Sequence, residues 1–286
     1  MRKLLALPAI ALALAALPAR AEEKQTPSEW TFSVTPYAWL MGATGSLTAK
    51  GQTVDVNAGI VDMFGKTDTL TALMANTEAR HGKLAFGLDL IYTKMVATPA
   101  FATLRNPTPW LSFSANAGAN VTSTMVVVEG SASYEIARPA PTTAIDALVG
   151  LRYWHVSTDI DLAFTATGSI STPFDIGLSR TGGFAVASSG SMDWADPILG
   201  FAVRHDLAPN HHLRLRGDVG GFGVGSQFTW QTFAGYAYDF SPGSTTWSAV
   251  LGYRALGINY SAGSGLDSRS VNLVLHGPVL GLTARF

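Results

Sequence analysis

Cysteine is absent from the 286-residue chain, and charged residues make up only 14% of it. Without cysteine the protein has no disulfides and no thiolate that could act as a nucleophile or a zinc ligand. Behind its first segment the sequence also lacks an apolar run of the roughly 20 residues that a membrane helix needs. The mean hydropathy is nevertheless positive, at +0.22. A chain that is apolar overall but never continuously apolar is typical of transmembrane strands, in which apolar and polar residues alternate.

An excess of positive charge is missing as well. The first 21 residues read MRKLLALPAIALALAALPARA, in which Arg2 and Lys3 precede an apolar run at 4–18 and a small-x-small pattern ends at Ala21. This order predicts a signal peptide that is cleaved after Ala21, leaving 22–286 as a single domain. Once the three basic residues of that segment are removed, the remaining chain has 16 basic and 20 acidic side chains. Nucleic acid is therefore not an expected partner, because phosphate binding requires a basic face.

Alternation of apolar and polar residues is the main pattern that is present. In KLAFGLDLIYT, for example, Leu84, Phe86 and Leu88 fall on one face of a strand, and Asp89 falls on the other. The pattern predicts an all-β fold, a transmembrane antiparallel β-barrel of about ten strands with short periplasmic turns and long extracellular loops; 8 or 12 strands are the alternatives. The predicted strands are 30–41, 69–80, 83–95, 121–136, 143–157, 194–206, 211–222, 227–240, 245–259 and 270–286.

Aromatic residues cluster near the predicted strand ends, as expected for girdles at the two membrane interfaces. The predicted girdle residues are Trp30, Phe32, Trp154, Phe228, Trp230, Tyr236, Tyr238, Phe240, Trp247 and Tyr253. The segments 43–68, 97–119 and 159–192 are interpreted as extracellular loops. Within them, 97–119 and 166–193 are rich in Gly, Ser, Thr, Ala and Pro, which predicts solvated loops or strand extensions above the membrane. A surface module that binds or adheres to a ligand through these loops is one possible function.

Membrane-level charges are expected to face the lumen, because a basic side chain at the lipid midplane costs about 2–4 kcal/mol. A ten-stranded barrel is narrow, so inward side chains of opposite sign should pair across it. This favours a salt-bridged lumen with a structural role; a narrow, porin-like passive channel is the alternative. The predicted lumen network consists of Glu78, Arg80, Asp89, Glu129, Asp146, Arg152, Asp196, Arg204, Arg214, Arg216, Asp218, Arg254 and Arg285.

His155 and Ser157 lie on the lipid-facing side of one predicted strand, near its outer end. The pair resembles the His-x-Ser arrangement of outer-membrane lipid A deacylases, in which histidine activates serine and an acid orients the histidine. The spacing names no acid, so the pair is a weak catalytic candidate and the protein is not predicted to be an enzyme. The sequence predicts no metal site and no cofactor.

The chain ends in VLGLTARF, which places Leu280, Leu282 and Phe286 on one strand face. This resembles the outer-membrane β-barrel proteins of Gram-negative bacteria, whose terminal strand ends in phenylalanine and is read by the barrel-assembly machinery. More narrowly, WTFSVTPYAWLMGATG, GLRYWHVS, LRLRGDVGGFGVGSQFTWQ and GPVLGLTARF resemble a functionally uncharacterised family of such barrels. The resemblance implies a monomer in the cell outer membrane whose partners are outer-membrane lipid and lipopolysaccharide, with the assembly machinery as a partner during insertion.

Overall fold

The computed structural model describes residues 29–49, 52–59, 69–97, 111–170, 178–241, 245–264 and 268–286, so the predicted signal peptide lies outside the described residues. None of the described residues belongs to a helix that is long and apolar enough to cross a membrane. The strands are β1 (Trp30–Trp39), β2 (Gly42–Ala49), β3 (Gln52–Ala58), β4 (Thr69–His81), β5 (Leu84–Ala97), β6 (Leu111–Ala140), β7 (Thr143–Ile170), β8 (Leu178–Ala208), β9 (His211–Gly220), β10 (Phe228–Ser241), β11 (Thr246–Ala262) and β12 (Arg269–Arg285).

The sheet is a closed antiparallel barrel. Neighbouring strands pair in the order β1, β4, β5 and so on to β12, and β12 pairs back with β1. Ten of the strands in the described part of the chain form this ring, which confirms the predicted fold class. Closure leaves the ring without a free edge, so every strand pairs on both sides where it crosses the membrane.

Strand β2 continues β1 along the same neighbour. β12 pairs with β1 from Ser33 to Trp39 and then with β2 from Gly42 to Thr48, so the two short strands act as one interrupted strand. β3 folds back onto β2 as a hairpin. The interruption explains why the predicted strand at 30–41 ends early and resumes inside a segment that was interpreted as a loop.

Three strands are much longer than a membrane crossing requires. β6, β7 and β8 have 30, 28 and 31 residues, whereas a tilted transmembrane strand needs about 9–11. For 97–119 and 166–193 the sequence predicts either solvated loops or strand extensions, and the structure has strand extensions at 111–119, 166–170 and 178–193. Residues 98–110 and 171–177 lie outside the described ranges. The loop prediction is wrong for 159–165, where β7 continues and where the alternation of Ile160, Leu162 and Phe164 is itself a strand signal.

The two faces of each strand differ as the alternation predicted. On β7, Val149, Leu151 and Tyr153 are exposed on the outside, while Arg152 and Trp154 are fully buried inside. On β12, the outward Leu280 and Leu282 are 49% and 41% exposed. An apolar outer wall and an interior that holds the charges are what a bilayer imposes on a spanning barrel.

The short turns gather at one end of the barrel, together with Trp30 and Phe286. Residues Gly82 and Lys83 join β4 to β5, and Gly82 has a φ of 57°, a left-handed conformation that glycine adopts without steric cost. Asn210 has a φ of 67° in the turn between β8 and β9, where asparagine is the tolerated alternative. This end is called the short-turn end below, and the opposite one the long-link end.

The barrel seam closes through the last residue of the chain. The Phe286 amide donates to the Phe32 carbonyl at 2.9 Å, the Phe32 amide donates to the Phe286 carbonyl at 2.8 Å, and the two rings stack at 6.2 Å. Phe286 thus extends the pairing of β12 with β1 to the rim.

Deleting Phe286 removes both seam hydrogen bonds, each worth about 1 kcal/mol, and the ring contact. We expect less folded barrel in the membrane fraction, measured as the heat-modifiable band on unboiled gels. Phe240→Ala is the matched control, because Phe240 is an exposed aromatic near the same end but lies on β10, away from the seam. Wild-type levels of the deletion variant would contradict a role of the seam in assembly.

Candidate functional site

The barrel interior is layered along its axis. Charged side chains form a layer at mid-height, apolar side chains fill the interior toward the long-link end, and a cavity lies toward the short-turn end. We call the middle layer the central belt; its members are Tyr37, Asp89, Glu129, Arg152, Arg216, Asp218, Gln231 and Arg254. It contains three arginines and three acids, so its formal charges balance.

Arg152 is the centre of one half of the belt. Its guanidinium donates to the Glu129 carboxylate at 2.7 and 2.9 Å and to the Asp218 carboxylate at 2.7 Å. The Arg216 guanidinium contacts the same two acids, at 2.5 Å to Glu129 and 2.9 Å to Asp218. Each acid is thus shared by two arginines, and the side chain of Arg152 has no exposed surface.

Arg254 organises the other half. It donates to the Asp89 carboxylate at 2.8 Å, to the Tyr37 hydroxyl at 3.0 Å and to the Gln231 carbonyl oxygen. The Tyr37 hydroxyl in turn donates to Asp89 at 2.9 Å. The Gln231 amide donates to Asp218 at 3.3 Å and so joins the two halves.

A second group of ion pairs lies closer to the short-turn end. Arg204 contacts Asp146 at 2.8 Å and Glu135 at 2.9 Å, and Arg80 contacts Asp146 at 3.3 Å. Arg138 pairs with Glu135 at 2.7 Å. The structure therefore brings most of the predicted lumen residues into ion pairs, and it adds Glu135 and Arg138, which sequence reasoning missed.

Among the remaining predicted residues, Arg214 and Arg285 form only long ion pairs, and Asp196 accepts hydrogen bonds from uncharged groups instead. Arg214 lies 3.6 Å from Glu78, and Arg285 lies 3.6 Å from Asp239. Asp196 has no arginine partner in the described part of the chain: its carboxylate accepts from the Ser226 backbone amide at 2.6 Å and from the Trp194 indole at 3.2 Å.

The expectation that Asp196 would pair with an opposite charge was therefore wrong. Asp196 instead anchors the link between β9 and β10, which folds inward at the buried Ser226. The adjacent Gly225 allows this approach, because a Cβ there would lie 2.4 Å from the Ala195 carbonyl oxygen.

The apolar layer, which we call the plug, begins one inward position beyond the belt. Ile91 follows Asp89, Trp154 follows Arg152 and Leu256 follows Arg254, and all three are fully buried. Trp154, Trp194 and Tyr260 stack in series, with ring centroids 5.6 and 4.3 Å apart. The other buried members are Trp39, Met41, Ala43, Met74, Val127, Ile258, Val271, Leu275 and Val279.

The predicted interfacial position of Trp154 was therefore wrong. Trp154 shares its strand parity with Arg152 and so points inward, into the plug. Proximity to a strand end suggested a girdle, but parity alone would have placed the ring correctly. Trp30, Phe32, Phe228, Tyr238, Phe240, Trp247 and Tyr253 are exposed on the outside, as girdle residues should be.

Outside the barrel, near the long-link end, His155 lies opposite Asp193 on the neighbouring strand. The His155 Nδ1 atom is 2.7 Å from the Asp193 Oδ1 atom, and the Tyr153 hydroxyl donates to the same oxygen at 2.6 Å. No hydrogen bond joins Ser157 to His155 in the part of the chain that the structure describes. Sequence spacing could not identify Asp193 as the neighbour of His155, because this contact depends on the register between β7 and β8.

The closed barrel, its apolar outer wall and its charged interior define a transmembrane β-barrel of the outer-membrane type. No family model and no curated protein matches the chain, so the narrower resemblance to one family stays a prediction.

Among solved structures, the chain is similar to a FadL homologue of Pseudomonas aeruginosa (8% identity, 90% of each chain covered, TM-score 0.31). It is also similar to the P. putida toluene transporter TodX, with 10% identity, 91% of this chain and 90% of that chain covered, and a TM-score of 0.30. A third similar structure is the translocator domain of the autotransporter NalP from Neisseria meningitidis, with 10% identity, 91% of this chain and 90% of that chain covered, and a TM-score of 0.29. Likeness at this level carries no argument about function.

Arg152→Met leaves Glu129 and Asp218 each with one arginine fewer in a buried layer. Removing one partner of a buried ion pair costs about 3–5 kcal/mol. We expect a loss of this size in the free energy of unfolding, measured by urea titration in detergent micelles. Arg138→Met removes the ion pair with Glu135, in which Arg138 is partly exposed, and should lower the free energy of unfolding by only about 0–1 kcal/mol. Equal losses in the two variants would show that the belt does not hold the barrel together.

Proposed function

We propose that the chain is exported, loses residues 1–21 and resides as a monomer in the outer membrane of a Gram-negative cell. There it acts as a closed structural barrel and not as an open diffusion pore. The observation that carries this proposal is the packing of the interior at mid-height, where Arg152, Trp154, Ile91 and Leu256 have no exposed surface.

Two barriers lie in series along any path for a solute. A passing ion would have to displace the paired charges of the central belt, and it would then have to enter an apolar layer that offers it no hydration. The stacked rings of Trp154, Trp194 and Tyr260 support the same interpretation, because stacked aromatics leave little space between them. A narrow-channel role would require both layers to rearrange.

Single-channel recording in planar bilayers tests the seal. The purified wild-type protein should show no steps above baseline. Trp154→Ala and Trp194→Ala, which empty the centre of the plug, should produce steps only when they are combined with Asp89→Ala and Arg254→Ala, which remove an ion pair of the central belt. Trp247→Ala is the control, since this tryptophan is exposed on the outer wall. Regular steps from the wild-type protein would overturn the sealed barrel in favour of the channel.

Lipid hydrolysis is the second candidate function, and one observation favours it. The Asp193 carboxylate lies 2.7 Å from His155 Nδ1 and so holds the ring by that nitrogen, while Ser157 lies two residues further along the same strand face. An acid, a histidine and a serine in this order are the components of a nucleophilic hydrolase. Their position on the outer wall would suit an ester or amide of a lipid in the outer leaflet, such as lipid A.

Ser157→Ala should alter the lipid A acyl pattern of cells that produce the protein, read by mass spectrometry, if the cluster is catalytic. His276→Ala is the matched control: His276 lies on the outer wall and bonds to Tyr253 at 2.8 Å, but no acid is bonded to this pair among the described residues. Identical acyl patterns for the wild-type and Ser157→Ala proteins would remove the hydrolase candidate.

A further inference from the structure

The short-turn end of the interior contains a cavity of about 510 Å³, which we call the vestibule. It extends from the underside of the central belt, at Tyr37 and Arg254, to the rim at His205 and Arg285. Cavities of about 300–1,000 Å³ are the usual size for small-molecule sites. The vestibule is therefore large enough for a small organic molecule, and neither the sealed barrel nor lipid hydrolysis uses it.

The charges around the vestibule are arranged unequally. The charged residues that line it comprise six arginines and four acids: Arg80, Arg204, Arg214, Arg216, Arg254, Arg285, Glu78, Asp89, Asp146 and Asp206. Among the acids, the side chain of Asp146 is 3% exposed and that of Glu78 is 23% exposed, while Asp206 is 49% exposed and contacts His212 at 2.7 Å. The most exposed arginines of the lining are Arg214, at 47%, and Arg285, at 40%. The vestibule therefore presents guanidinium groups to its contents, although the charges in the surrounding wall are of both signs.

Arg214 and Arg285 are also the weakly paired arginines of the interior. Each contacts one acid at 3.6 Å, which is longer than a hydrogen bond, whereas Arg152 contacts its acids at 2.7 Å. A guanidinium has five N–H donors in a fork that matches the oxygens of a carboxylate or a phosphate. Both side chains thus retain donors for a ligand.

Strand register places the backbone of Arg285 in the row of Glu78, the acid that Arg214 contacts, while the Arg285 guanidinium lies 3.6 Å from Asp239 of β10. Ser33 of β1 is aligned with Arg285 on one side and with Glu78 on the other, so these residues share a row across three strands. Adjacent strands lie about 4.8 Å apart, so the Cα atoms of Arg285 and Glu78 are separated by about 10 Å. Arg214 reaches this row from β9, since its guanidinium lies beside Glu78.

We propose that the vestibule is a binding site for a small organic anion, held by Arg214 and Arg285 through its carboxylate or phosphate group. Hydroxyl groups of Ser33, Thr35 and Thr283 line the same space and offer further hydrogen bonds. Because the short turns mark the periplasmic end in the proposed orientation, the ligand would enter from the periplasm. The site does not depend on whether the barrel conducts.

Isothermal titration of the full chain in a nonionic detergent tests the site, with succinate and inorganic phosphate as the probes. We expect saturable binding of at least one probe to the wild-type protein, weakened at least tenfold in Arg214→Gln combined with Arg285→Gln. Arg138→Gln is the control, because it removes one arginine from the same end of the barrel without lining the vestibule.

Each outcome decides the proposal. Absence of saturable binding of both probes to the wild-type protein overturns it, as does equal affinity of the double variant and the wild type, or an equal loss in Arg138→Gln. The single variants Arg214→Gln and Arg285→Gln keep the test decisive if the double variant fails to fold, since each removes only a 3.6 Å contact and should still show weakened binding. Channel steps from the wild-type protein would overturn the sealed barrel and leave this site standing.

Discussion

The guanidinium of Arg152 has no contact with solvent, and the rest of the interior is arranged around that constraint. A charge removed from water needs opposite charges and hydrogen bonds at close range. Glu129 supplies them from an adjacent strand, but Asp218 does so from β9, beyond β8. The pair formed by Arg254 and Asp89 likewise joins β11 to β5. Backbone ladders join only neighbouring strands, so these contacts across the lumen add links between strands that do not pair with each other.

The layers on either side of the belt follow from the period of a strand. Inward positions recur every second residue, so the residue two places beyond a belt charge lies in the next layer along the axis. Toward the long-link end these residues are Ile91, Trp154 and Leu256, which are fully buried. Toward the short-turn end several are small, as at Gly87 and Ser131, and they leave the vestibule open. One alternating pattern thus produces both a seal and a cavity.

The same period explains what the sequence could predict. Alternation identified the strands that cross the membrane and the side to which each charge points, because a bilayer penalises any other arrangement. It could not identify partners across the lumen, such as Asp89 for Arg254, because these depend on strand tilt and stagger. It did not decide between loops and strand extensions beyond the membrane, because no bilayer lies beside these segments to impose a pattern. It also missed the role of Asp196, which depends on how a link folds inward.

Three alternate inward residues of β9 show how the exposure of charged side chains increases from the central belt to the vestibule. Asp218 is fully buried and accepts from Arg152; Arg216 is 19% exposed and borders the vestibule; Arg214 is 47% exposed and extends into it. The sequence Arg216-Gly217-Asp218 could be read as an adhesion motif, but recognition of that kind needs an exposed loop tip, and both charged residues are held in the belt. Depth in the barrel determines what each charge can do: enclosed charges stabilise the fold, and only a charge that keeps free donors can bind a ligand.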